Sequence, residues 1–149
     1  MSDVVEATSD AEAPGVSVCN ADGALRSQID AAGHDLVADE PEDAGGEGAG
    51  PAPHDYLLAS LGACTAMTLR MYARHKGWDL RRVCVRVRGG EPSQREDDGA
   101  RVEHLQRDIE LEGDLDASQR ARLVEIAERC PVHRTLTAEI EIATAAESV

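Results

Sequence analysis

The sequence predicts an α+β domain in which antiparallel sheet surrounds a long buried central helix. Three observations carry this. One uncharged helical stretch runs through the middle of the chain, from Tyr56 to Leu69. Alternating strand patterns lie on both sides of it, with Val83, Val85 and Val87 the clearest. The order of elements, strands then helix, strands, helix and strand, is that of an α+β fold and not of repeated βαβ units.

Residues 1–14 are small, acidic and end in Pro14, and are expected to form a flexible N-terminus. Residues 15–149 are expected to form a single domain, which a chain of this length has enough core to support. Three short strands are expected next, at 16–19, 25–29 and 34–38. Asn20-Ala21-Asp22-Gly23 and Ala31-Ala32-Gly33 supply the turns of an antiparallel meander. Residues 39–50 are acidic and Gly-rich and are expected to be a mobile, solvated linker.

The central helix is expected from Pro53 to Lys76. Proline suits a first helical turn, Asp55 favours the positive end of the helix dipole, and Gly77 is a terminator. Its fourteen uncharged residues are too few to span a bilayer, which needs about 20. A helix that is apolar all round is a buried one. After it, Val83, Val85 and Val87 alternate with Cys84, Arg86 and Arg88 in a half-buried strand. A polar loop is expected over 91–99. A further strand is expected over 101–112, with Leu105, Ile109 and Leu111 on one face. Asp116 and Gln119 form a capping box for a second helix, which places Leu123, Ile126, Ala127 and Cys130 on one stripe. Pro131 breaks that helix. The alternation of Leu136, Ala138, Ile140 and Ile142 with Thr137, Glu139 and Glu141 reads as a last strand.

Composition narrows the function. The net charge of −14, from 15 basic and 29 acidic residues, argues against nucleic acid and anionic membrane surfaces as partners. The first residues have neither a basic start nor an apolar run, so a cytoplasmic location is expected. None of Cys19, Cys64, Cys84 and Cys130 forms a C-x-x-C pair, so neither a zinc ribbon nor any other metal or cofactor site is expected. In a reducing compartment such cysteines are inert or catalytic. Cys64 lies in the middle of the central helix, where a small buried hydrophobe would also serve. It is roughly 15 Å from the helix start, beyond reach of the dipole, so an activated thiolate there needs another group. Cys84 shares its strand face with arginines, which makes it a rival. The two helices could bring Cys64 and Cys130 together, although spacing alone does not establish it.

The run from Gly50 through Pro53-His54-Asp55-Tyr56 to Ser60-Leu61-Gly62-Ala63-Cys64, followed by Met67-Thr68-Leu69-Arg70, resembles the central helix of the OsmC/Ohr family. These are the osmotically inducible and organic-hydroperoxide-resistance proteins. Arg129-Cys130-Pro131-Val132-His133-Arg134-Thr135-Leu136 resembles the family's second cysteine motif. The likeness extends in element order over about residues 16–143 and is strongest to the OsmC-like branch. It implies an intertwined homodimer. It implies Cys64 as the peroxidatic and Cys130 as the resolving cysteine of an organic hydroperoxide reductase. The reductant would be a dithiol such as a lipoylated protein. The Ohr charge partners do not carry over: the acid is displaced to Asp55, and the N-terminal turn lacks an arginine. Arg26, Asp55, His133 and Arg134 are the candidate partners for the thiolate. A non-enzymatic binder of small lipophiles on the same fold is the alternative class. A Cys64/His133 acyl-transfer enzyme is a third.

Overall fold

The computed structural model describes residues 15–146, and their contacts divide into two compact units. Among the described residues the first holds 15–53 together with 140–146. It contains an antiparallel meander of β1 (Val16–Asn20), β2 (Ser27–Ala31) and β3 (His34–Ala38), in the order β1-β2-β3. The β2–β3 turn places Ala32 at φ 53° and Gly33 at φ 81°. Two successive positive φ values give the turn whose twist matches that of a hairpin. β2 begins at Ser27, two residues later than expected, because Leu25 and Arg26 belong to the turn. The Ser27 hydroxyl donates to the Leu25 carbonyl at 3.0 Å.

The acidic stretch after β3 is ordered, against the expectation of a mobile linker. Asp39 is buried at 2 % exposure. Its carboxylate accepts the N–H groups of Glu40, Glu47 and Ala49 at 2.8–3.1 Å, so one side chain folds the loop around itself. The Ala49 N–H foremost holds the Asp39 carboxyl below its usual range. Burial opposes it, and the Glu47 and Glu40 N–H groups and the Arg26 charge assist. A single 3-10 turn, Glu42–Ala44, lies inside the loop.

The second unit spans His54–Glu139. α1 (Pro53–Lys76) has the expected bounds. Gly77, at φ 68°, ends it, and the Trp78 N–H returns to the Ala73 carbonyl at 2.9 Å. Burial on α1 is confined to one stripe, Leu61, Thr65, Leu69 and Ala73. The expected all-round burial is not met within the single chain, where Met67 is 65 % and Met71 69 % exposed. β4 (Asp79–Gly89) pairs antiparallel with β5 (Leu105–Asp114), setting Val83 opposite Leu111, Val85 opposite Ile109 and Val87 opposite Arg107. β5 starts later than the expected strand, because Arg101–Val102, the start of that expected strand, instead pairs in a small hairpin with Ser93–Gln94 of the expected polar loop. α1 approaches β4 closely at Gly62, where a Cβ would lie 3.5 Å from Val87.

α2 (Ala117–Ala127) carries the expected capping box: the Asp116 side chain accepts from Gln119 N–H, and the Gln119 side chain accepts from Asp116 N–H. Leu69, Ala73, Leu80, Leu115, Leu123, Ile126 and Ala127 form the core, joined by Val83, Ile109 and Leu111. Beyond α2 the expected last strand is absent from the described residues. Pro131 opens a new short helix, α3 (Pro131–Leu136), with Cys130 at its N-cap. The chain from 137 to 146 has no regular structure. An alternating pattern makes a strand only where a neighbour accepts its backbone groups, and Thr135 and Thr137 spend their hydroxyls on the carbonyls of Pro131 and His133.

Candidate functional site

Cys64 lies at mid-length on α1, one residue before the fully buried Thr65. Cys130 follows α2 and caps α3, with no exposure. The fold brings the two thiols close enough to influence one another. Both cysteines are free.

The surroundings of the two sulfurs differ. Burial foremost pushes the Cys64 thiol up, and the hydrogen bond and charge of Cys130 push it further. The Val132 N–H and the Thr68 hydroxyl offset this only in part. At Cys130 burial is again the largest single influence and raises the thiol. Four hydrogen bonds outweigh it, from the Cys64 thiol, the His133 N–H, the Thr65 hydroxyl and the Val132 N–H, and the net shift is downward. Of the two, Cys130 is therefore the more readily ionised and Cys64 the less. Accessibility has the opposite sense, because Cys64 is half-buried and Cys130 fully enclosed.

An open cleft of about 460 Å³ is lined by chain neighbours of the pair, Leu61, Ala127 and His133 among them, but by neither cysteine. Leu61, Leu105, Ile109, Val124, Ala127 and Leu136 give it apolar walls. Glu103, His104, Arg107, Glu128 and His133 bring charged or titratable groups to it. Among the described residues, no cluster of His, Cys, Asp or Glu is placed to hold a metal ion.

The candidate charge partners have different fates. His133 reaches Cys130 through its main-chain N–H, and its side chain lines the cleft. Arg134 is exposed on α3, its N–H donating to the Cys130 carbonyl at 3.0 Å. Asp55 sits in the first turn of α1, about 13 Å along the axis from Cys64. Arg26 lies in the first unit, where its charge acts on Asp39. Cys84 is on the opposite strand face from the core valines, facing Glu110 across the pair with Arg86 and Asp108 nearby.

Sequence reasoning missed Thr65, Thr68 and Arg107. Arg107 Nη1 donates to Thr65 Oγ1 at 3.0 Å. A signal for it existed: Leu105, Arg107, Ile109 and Leu111 share one strand face, and a charged residue interrupts that apolar series.

The family model for OsmC-like proteins matches residues 45–145. No curated protein sequence matches the chain. Solved structures with the same fold include the OsmC-like protein of Mycoplasma pneumoniae, 20 % identical, with a TM-score of 0.67 over 84 % of this chain and 87 % of that one. An organic hydroperoxide resistance protein OsmC from Legionella pneumophila is 19 % identical, with a TM-score of 0.62 over 85 % and 90 % of the two chains. The organic hydroperoxide resistance protein OhrB of Bacillus subtilis is 21 % identical, with a TM-score of 0.57 over 85 % and 92 %. The family match takes in both cysteines, and the fold brings their sulfurs together, so the chain belongs to the OsmC-like family.

Proposed function

We propose that the chain is a thiol-dependent peroxidase that reduces organic hydroperoxides by cycling Cys64 and Cys130 between dithiol and disulfide. The observation that carries this reading is a pair of thiols close enough to shift one another, with their neighbours lining an apolar-walled cleft. The family and its hydroperoxide-resistance relatives support it.

Cys64 is the attacking thiol, because it is the one a substrate can reach. Its proton passes to Cys130 as it attacks a peroxide oxygen. The O–O bond breaks, Cys64 becomes a sulfenic acid, and the departing alkoxide takes the proton back from Cys130 to leave as an alcohol. The Cys130 thiolate then attacks the sulfenic sulfur. The disulfide forms and the displaced hydroxide is protonated to water. Two electrons have moved from the thiols to the peroxide, and an external dithiol, such as a lipoylated protein, restores them by exchange. The working unit in this reading is a homodimer in the cytoplasm. Among the described residues no helix is long and apolar enough to cross a membrane.

One equivalent of an alkyl hydroperoxide should give a Cys64–Cys130 disulfide on peptide mapping. In Cys130→Ser, Cys64 should remain as a sulfenic acid that a dimedone probe traps. Oxidation of Cys84 before either would overturn the assignment. Tight retention of a lipophile with no loss of peroxide would favour the binder instead.

A further inference from the structure

Arg107 occupies a position that its strand reserves for a hydrophobe. It stands on the β5 face that carries Ile109 and Leu111 into the core, and Val87 is its neighbour on β4. Among the described residues it forms no ion pair, whereas Arg82 and Arg88 on the other face hold Glu112 and Asp108. A half-buried guanidinium without a carboxylate is costly unless something else compensates it. Its hydrogen bond runs to Thr65 Oγ1, a hydroxyl with no solvent exposure.

A hydroxyl has one proton and two lone pairs. Arg107 fills a lone pair of Thr65, and the proton has two acceptors in reach: the Leu61 carbonyl at 2.7 Å and the Cys130 sulfur. With the sulfur neutral, the carbonyl is the better acceptor. With the sulfur anionic, a charge-assisted bond to it is the stronger of the two. Donation from Arg107 polarises the hydroxyl and strengthens that bond.

We propose that Arg107 is the cationic partner of the Cys64–Cys130 pair and acts on it through the Thr65 hydroxyl. It is a positioning residue, one hydrogen bond removed from the sulfurs. The inference deepens the reductase reading and rests on it for the working site, but its measurement does not depend on which oxidant the pair meets. The other groups facing this cleft are Glu103 and His104 just before β5, Glu128 after α2 and His133 on α3. Neither carboxylate pairs with Arg107, and Glu103 is held by Arg101.

The test is the pH dependence of alkylation of Cys64 and Cys130 by iodoacetamide, read by peptide mapping in a Cys19→Ser, Cys84→Ser background. Arg107→Met should raise the midpoint of the first ionisation by about one pH unit, and Arg107→Lys should keep most of the original value. Thr65→Val should raise the midpoint similarly. The double variant should shift it no further than the larger single change, since both remove one route. An unchanged midpoint in Arg107→Met or in Thr65→Val overturns the proposal, as do additive shifts. If Arg107→Met does not fold, the Lys and Val variants still decide. Hydroperoxide consumption is measured on the same samples. A shifted titration without consumption upholds Arg107 and removes the reductase reading, and consumption with an unshifted titration does the reverse.

Discussion

Two buried side chains show how single residues set the local chemistry. Asp39 is anionic in the fold because three N–H groups point at it. Its carboxyl is depressed relative to the unfolded chain, so its contribution to stability is present above the unfolded value of about 4 and is lost as pH falls through the lower folded value. The urea midpoints of the wild type and Asp39→Asn should therefore lie furthest apart near neutral pH and converge below pH 4. A constant gap across that range would show that the charge is not what organises the loop. At the thiol pair the same physics acts on sulfur. In Cys64→Ala, Cys130 loses a donated hydrogen bond, and its alkylation midpoint should move up by about one unit. An unmoved midpoint would mean that the contact between the thiols contributes nothing. Both cysteines were legible in the sequence as small residues on apolar stripes. Arg107 was not read, since its meaning depends on where β5 lies relative to α1, and that is a matter of tertiary packing.

Elements were predictable where their signals are local. The Asp116–Gln119 box, Pro53 at the start of α1 and Gly77 at its end all act within a few residues, and each does in the structure what its chemistry dictates. Asp116→Ala should cost about 1 kcal/mol in urea unfolding. Gly113 is a harsher case. At φ 152° it crosses so near β4 that a Cβ would lie 1.8 Å from the Asp79 carbonyl, beside the register shift at Leu80. Gly113→Ala should cost more than the cap, about 3 kcal/mol; a loss no greater than that of Asp116→Ala would show that the strands shift apart easily. The last strand was misread because alternation reports an amphipathic ribbon and not its neighbour. The acidic loop was misread because its composition is that of a linker, while one aspartate supplies the acceptors that order it.

For the whole molecule, charge and exposed apolar surface act in opposition. The chain carries −14 and exposes Met67, Met71, Val124, Ile140 and Ile142. An apolar surface of this kind drives association, and like charge resists it. Light scattering should give a mass near twice 15.9 kDa, with added salt tightening the dimer by screening. A monomer at micromolar concentration in high salt would sink this expectation. The two methionines on the open side of α1 have a further consequence under the proposed function. Thioethers are themselves oxidisable, and sulfoxide formation makes a flexible greasy side chain polar. In the proposed cycle, peroxide in excess of the dithiol supply would leave Met67 and Met71 as a record of wear. If copies meet through that side of the helix, the same damage loosens their association, and methionine sulfoxide reductases would be what restores it.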